Sequence, residues 1–454
     1  MKGLFPRTDR AIREAGRLNR TFIFGLVTLI VLVFVVAGAL GQLPYDSEYP
    51  VIDYSTRPPS DAIARLQRGI DDGDVQLAFD AGNGYLVSLL RELDIGLSSQ
   101  MLVFSKTSFQ TERISPETPR AIYFNDSVYV GWLQDADVIE ISAMDPDLGI
   151  VFYTLDQTGE AAPRFQRQTA LCLRCHDTYS MSGGGVPRHL VGSGFTDQFG
   201  GFASHEGWHL TTHQSPIEER WGGWYVTGTH GDQRHMGNII VRNVADPAEF
   251  DLDRGANATD LSEWVDTEPY LGSGSDIVAL LVLEHQASLQ SVIVRVNYET
   301  RTALRNEQER NVQSAREPDF VSAATRELVQ DWSEALVGAL LLVGEAPLAG
   351  PIVGTSGFAG DFSSWGPHDS EGRSLRQLDL NDRLFRYPLS YVIYSDAFHG
   401  LPGIVKDYVY QRLGGVLRGE DESEAFAHLS ETDRRAILEI LQETKADFAR
   451  SLGE

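Results

Sequence analysis

The first strong pattern in the chain is an uninterrupted apolar run near its beginning. No charged residue occurs from Thr21 to Tyr45, and residues 21–40 read TFIFGLVTLIVLVFVVAGAL. A helix needs about 20 apolar residues to cross a bilayer, so the pattern predicts a transmembrane helix over residues 21–43. A cleaved signal peptide is the alternative, because residues 37–39 are Ala-Gly-Ala, but the apolar run exceeds the usual signal core of about 7–15 residues.

The charges on either side of this run predict its orientation. Residues 1–20 form a basic lead with six Lys or Arg and two acidic residues, and acidic residues follow the run. Basic flanks stay in the cytoplasm. We therefore expect a single-pass protein of the inner membrane, with a cytoplasmic N-terminus and a periplasmic body.

After a linker at residues 44–59, rich in Pro, Ser, Asp and Tyr, the pattern becomes that of a folded domain. A polar helix is predicted to begin near Asp61. Short apolar runs then predict an antiparallel sheet, with Asn125-Asp126-Ser127 as a hairpin turn. The runs are residues 101–104, 121–124, 128–132, 138–141 and 150–154. Their aromatic side chains suit either ordinary core packing or the wall of a cofactor pocket.

The second half of the chain changes from strands to helices. Strands are expected at residues 221–228 and 238–242, and helices at 275–298, 320–343, 389–417 with a break at 400–402, and from Ser430 onward. Residues 350–373 read as a Gly/Ser-rich connection. The helix from 275 is not a second span, because Glu284, His285 and Arg295 interrupt it. The fold class is therefore α+β, with a β-rich region at 60–270 and a mainly helical region at 271–454 packed on it.

The net charge of the chain limits the kinds of molecule that it is expected to bind. The net charge is −26, and residues 1–20 contribute +4, so the rest of the chain carries −30. An acidic body disfavours nucleic acid as a partner. It favours basic proteins where charge selects the partner, although a solvated surface with no such partner explains it equally well.

Both cysteines of the chain stand three positions apart, directly before a histidine, in Cys172-Leu173-Arg174-Cys175-His176. This spacing is that of a c-type haem attachment site. Two residues between the thiols let each sulfur reach one vinyl group of a porphyrin, and the adjacent imidazole can then bind the iron as proximal ligand.

Two other chemistries use the same Cys-x-x-Cys spacing. A thioredoxin-like dithiol needs a reactive first cysteine at a helix N-terminus after a buried strand, and the lead-in at residues 167–170 shows no such strand. Structural zinc needs four ligands, and no further cysteine exists, so His189 and His205 could complete only an unusual site.

The motif resembles that of the c-type cytochromes, and the resemblance is confined to these five residues and the exported context. It implies one covalently attached haem c, with Cys172 and Cys175 as the thioether residues and His176 as an iron ligand. The chain is not similar to a minimal class I cytochrome c, a helical domain of about 100 residues. More loosely, it resembles large membrane-anchored single-haem proteins of bacteria.

The second axial ligand determines what such a haem does. Met236 is a candidate, as are His230 and His235 in the same predicted loop, and another residue or an open site remains an alternative. Arg174, Arg188 and Arg234 could pair with haem propionates, or form ordinary surface ion pairs.

Two main function classes follow. The first is a membrane-anchored periplasmic monohaem cytochrome that transfers electrons to and from redox partner proteins, with no bond chemistry by side chains. The second is a peroxidase-like haem enzyme or a gas sensor with an open distal site, in which a histidine of the 205–235 cluster acts on a bound ligand. A third possibility is an accessory subunit whose helical half is a docking surface.

Overall fold

The computed structural model describes residues 46–159, 162–177, 184–203 and 207–453. The basic lead and the predicted transmembrane segment lie outside these residues, as does His205. The described chain contains both sheet and helix, so the α+β class is confirmed. Residues 46–454 form one compact unit, and the proposed division near residue 270 stays a prediction.

The main sheet has six strands, all antiparallel, in the order in which they occur along the chain. Six shorter strands pair elsewhere in twos. The strands are β1 (Met101–Val103), β2 (Arg120–Phe124), β3 (Val128–Trp132), β4 (Val138–Asp145), β5 (Gly149–Asp156), β6 (Phe165–Arg167), β7 (Gly192–Ser193), β8 (Thr196–Asp197), β9 (His209–Leu210), β10 (Gly228–Thr229), β11 (Ile240–Val241) and β12 (Val353–Gly354).

Ten helices are described. They are α1 (Ala62–Asp71), α2 (Leu86–Glu92), α3 (Leu173–His176), α4 (Ile277–Gln313), α5 (Ala323–Leu340), α6 (Phe358–Ser364), α7 (Asp396–His399), α8 (Gly403–Leu417), α9 (Glu431–Thr444) and α10 (Ala446–Ser451). The predicted break at residues 400–402 separates α7 from α8. The capping box at Ser430 and Asp433 is present at the start of α9.

The sheet forms as its sequence predicts. Asn125 closes the β2–β3 hairpin, because its side chain accepts the N–H groups of Ser127 and Val128 at 3.1 and 2.9 Å. Because side chains alternate between the faces of a strand, neighbouring β4 residues Ile141 and Ser142 point to opposite faces. The face that carries Ser142 receives the cysteine motif.

The helix α4 passes through the centre of the molecule. Asp276 caps its N-terminus by accepting the backbone N–H groups of Val278 and Ala279. In the part of the chain that the structure describes, it alone is long and apolar enough to cross a bilayer. However, 83% of its most apolar 18-residue stretch is buried inside the protein. Two of the side chains expected to keep it out of a membrane have internal partners: Glu284 pairs with Arg220, and His285 Nε2 lies 2.7 Å from Ser390 Oγ.

Three sequence predictions are wrong. Residues 221–227 are not a strand, because Trp221 and Gly223 have φ of 67° and 85° and turn the chain, so only β10 remains there. The first long helix does not end at residue 298 but continues to Gln313. The supposed connection at 350–373 contains β12 and α6. In the first and last cases, tertiary contacts override the local pattern.

Candidate functional site

The cysteine motif occupies one helical turn. Cys172 stands at the N-cap of α3, and its carbonyl accepts the N–H groups of Cys175 and His176 at 3.1 and 3.0 Å. Residues three apart are neighbours on a helix, so the two thiols lie beside each other. Both are free; Cys172 is half-buried against the core and Cys175 is exposed. One turn therefore carries two free thiols, of which Cys175 is at the surface and Cys172 is partly covered by the core.

The lead-in to this turn contains no buried strand, as predicted. A strand, β6, does precede the motif, at the edge of the sheet, with Phe165 buried and Gln166 exposed. An edge strand is not the buried strand of a thioredoxin-like site. Burial also raises the pKa of the Cys172 thiol to about 12, whereas a reactive dithiol needs a lowered cysteine pKa. The dithiol alternative is therefore disfavoured.

The imidazole of His176 is oriented by a backbone carbonyl. Its Nδ1 lies 2.6 Å from the carbonyl oxygen of Arg188, and because a carbonyl only accepts, Nδ1 carries the proton. The ring packs on Phe152 of β5 with centroids 4.6 Å apart. Burial lowers the pKa of His176, so the neutral ring with a lone pair on Nε2 is favoured. A hydrogen bond from the other ring nitrogen is the usual way in which a metal-binding histidine is held.

His189 is a neighbour of this site that sequence reasoning did not single out as functional. Its Nε2 lies 2.9 Å from Ser142 Oγ, and its ring centroid is 4.1 Å from that of Tyr129. Ser142 stands directly across the sheet from Phe152, the residue that contacts His176. Burial, with a contribution from His176, lowers the pKa of His189 to about 3. Strand register brings the two histidines together, which no spacing in the chain reveals.

The predicted distal candidates form a separate group. The rings of His230 and His235 lie 4.7 Å apart, centroid to centroid. The backbone N–H of Gly237 donates to His235 Nδ1 at 3.0 Å, and that of Asn257 donates to His230 Nε2 at 2.8 Å. Each ring therefore already uses its lone pair as an acceptor, which is the arrangement of a structural core histidine.

Met236 is buried beside these rings. The hydroxyl of Ser193 approaches its sulfur at 3.6 Å, and its backbone N–H donates to the carbonyl of Arg220 at 2.9 Å. In the part of the chain that the structure describes, no hydrogen bond or ring contact joins Met236, His230 or His235 to His176. The role of all three as iron ligands stays a prediction.

The three arginines considered as propionate partners have different surroundings. Arg234 pairs with Asp253, the ordinary ion pair that was the alternative for it. Arg174 is exposed in the helical turn of residues 172–176, which we call the attachment turn after its predicted role. Arg188 lines a cavity of about 310 Å³ that lies between the 188–191 segment, residues 210–212, α4 and α5. The cavity also contains His189 in its wall but not the residues of the cysteine motif.

The residues of the attachment turn fit a covalent haem. The two thiols are adjacent, and the imidazole behind them keeps Nε2 for iron. Among the described residues, no three His, Cys, Asp or Glu side chains gather to hold a metal ion. A protein-bound zinc needs such a group, whereas haem iron takes its equatorial ligands from the porphyrin and needs only axial ones from the protein.

Comparison with known proteins adds no relative: no family model, curated protein or solved structure matches this chain.

Proposed function

We propose that this protein is a membrane-anchored periplasmic monohaem c-type cytochrome that transfers electrons. The observation that carries the proposal is the hydrogen bond from His176 Nδ1 to the Arg188 carbonyl, next to two free thiols on one helical turn. In this proposal Cys172 and Cys175 form the thioether bonds, and His176 holds the iron. The haem supplies one-electron chemistry, and the protein supplies ligation, burial and exposure of the haem edge.

The rest of the proposal follows from the sequence. Residues 21–43 would form the transmembrane helix, and the β-rich region would surround the haem while the helical region packs on it. The linker predicted at residues 44–59 is corrected from Asp46 onward, because Ile52 and Tyr54 are buried in the core of the body. The membrane holds the haem near membrane-bound redox partners, and the body's charge of −30 favours basic soluble ones. Met236, His235 or His230 would supply the second iron ligand, and either histidine would first have to release the backbone N–H group that it accepts here.

Haem attachment is tested with the full-length chain, produced in a host that can attach c-type haem. We expect pigment that stays with the protein in acid acetone, and the membrane fraction should contain it. Changing both Cys172 and Cys175 to Ser should remove that pigment. Arg174→Ala, in the same exposed turn, is the matched control and should keep it. Colourless wild-type protein would refute the proposal.

A haem enzyme or gas sensor is the second candidate function. The observation that favours it is the cavity of about 310 Å³ beside His189, which is within the size range of small-molecule sites. Spectra with and without carbon monoxide separate the two. A low-spin iron indifferent to carbon monoxide supports electron transfer, and a high-spin iron that binds it supports the second function.

A further inference from the structure

The cavity beside the attachment turn has a charge opposite to that of the protein. The chain has 64 acidic and 38 basic residues, yet the cavity is lined by two arginines, Arg188 and Arg295, and by no aspartate or glutamate. Low-dielectric walls that carry charges of one sign concentrate the field inside a cleft. The charged side chains in the lining are therefore all cationic, within a strongly acidic body.

The two arginines are held differently. Arg295 is fixed at the wall by carboxylates outside the lining, with its Nη1 3.2 Å from both Asp46 and Glu299. Arg188 has no carboxylate within ion-pair distance among the described residues, and its Nε is buried without a hydrogen-bond partner there. A half-buried guanidinium in this state retains donors for an incoming anion.

The remaining lining is both apolar and hydroxylated. Trp332 of α5 and Val292 of α4 provide apolar surface, while Ser288, Ser291 and Thr211 provide hydroxyl groups. Such a surface suits a molecule with an apolar body and one anionic end. The flat guanidinium matches a carboxylate, which it can bind through two parallel hydrogen bonds.

We propose that this cavity binds the carboxylate of a small, partly apolar molecule, with Arg188 as the principal anion-binding residue and Arg295 as the second cation. The inference does not depend on haem attachment. The same chemistry has two sources: a free carboxylic acid, or a propionate of a haem attached to this chain.

Calorimetric titration of the full-length protein with hexanoate and benzoate tests the proposal, with hexanamide and benzamide as neutral probes of similar shape. We expect the acids to bind and the amides to bind at least about tenfold more weakly, because charge-assisted hydrogen bonds are the stronger kind. Arg188→Gln should weaken acid binding by about tenfold or more. Arg91→Gln, an exposed arginine of α2, is the matched control and should leave it unchanged.

Ser288→Phe, which places a ring in the cavity, should also reduce acid binding, with the melting temperature checked for each variant. Equal binding of acids and amides, no binding in any form of the protein, or full binding by a folded Arg188→Gln variant would overturn the proposal.

The molecule that supplies the carboxylate is identified by comparing the haem-loaded protein with the Cys172→Ser, Cys175→Ser double variant. Acid binding by both supports a free carboxylic acid, and acid binding only by the double variant supports a haem propionate. A wild-type protein that carries no haem but binds hexanoate through Arg188 would refute the proposed function and keep this inference.

Discussion

Two pairs of histidines, one partly buried and one fully buried, make the most informative comparison in this molecule. His176 and His189 lie over neighbouring positions of the main sheet, and His230 and His235 lie against each other in the loop after β10. Burial lowers the pKa of all four. The pairs differ in what their ring nitrogens do: His176 donates to a carbonyl, whereas His230 and His235 accept from backbone N–H groups.

This difference is the one expected between a metal-binding histidine and a structural one. A neutral imidazole has one donor and one acceptor nitrogen. When a carbonyl takes the donor, the lone pair of the other nitrogen is left for a metal, and when an N–H group takes the acceptor, no lone pair is left. Burial and a low pKa alone do not identify a metal-binding histidine.

The largest effect is expected from removing His176. In the proposed haem site, His176→Ala would remove the iron ligand that Nε2 is proposed to provide, so the absorption spectrum should change from low-spin to high-spin. Added imidazole should restore it, since the free molecule can take the same place. His189→Ala is the control, and an unchanged spectrum in His176→Ala would show that the iron has another proximal ligand.

The loop that carries His230 and His235 depends on a buried ion pair. Arg220 Nη1 lies 2.9 Å from Glu284 of α4, both are buried, and the Arg220 carbonyl holds Met236. Arg220→Ala leaves Glu284 buried without its charge partner, so the free energy of unfolding should fall by about 3–5 kcal/mol. Urea unfolding measures this loss.

Arg305→Ala, which breaks the exposed pair with Glu309 on α4, is the control for that experiment and should have little effect. A similarly small loss in Arg220→Ala would mean that the loop is held by other contacts.

His235→Leu tests the comparison directly. It leaves the N–H of Gly237 without its acceptor, so the free energy of unfolding should fall by about 1–3 kcal/mol. The haem spectrum should stay as it is. Loss of the low-spin spectrum in His235→Leu would instead make His235 the distal ligand. Met236→Ala tests the other candidate: loss of the weak long-wavelength band of Met-ligated ferric haem would assign that role to Met236.

Acid should destabilise the protein through two of these histidines, His189 and His235. Burial lowers the pKa of His189 and of His235 from 6.5 to about 3. Below pH 6.5 these histidines therefore bind protons in the unfolded chain but stay neutral in the folded protein. The stability these residues contribute is complete above pH 6.5 and is lost as the pH falls toward 3.

Urea unfolding between pH 7 and pH 4 measures this loss. His235→Leu should reduce its slope, because one histidine fewer is titrated. An unchanged slope would mean that His235 is not buried in its neutral form.

The smallest effect is expected at the hydrogen bond between Ser142 and His189. Ser142→Ala removes one hydrogen bond of 2.9 Å, so the free energy of unfolding should fall by about 0.5–1.5 kcal/mol. Haem content, measured from the pigment that stays with the protein after extraction in acid acetone, should not change. A loss of attached haem would show that His189 positions His176.

Elements with strong local signals were predictable. Asn125 supplies its own turn hydrogen bonds, and the caps at Asp61, Asp276 and Ser430 are made by residues next to the helices they begin. The haem-attachment motif is equally local, since it lies within five consecutive residues, and haem attachment stays a prediction. The strand predicted over residues 221–227 was wrong, because the alternation of apolar and polar residues suggested a strand whereas the positive φ of Trp221 turns the chain.

The sequence by itself determined the covalent chemistry available to this protein: two thiols and an imidazole in one turn, a strongly acidic body, and an apolar segment before it. Only the tertiary structure decided which nitrogen of His176 is free, that His189 is its neighbour, and that Arg188 lines a cavity without a carboxylate partner among the described residues. The physical reason is that local spacing follows from the chain alone, whereas hydrogen-bond partners and burial depend on residues that are distant in sequence and meet only when the sheet and helices pack.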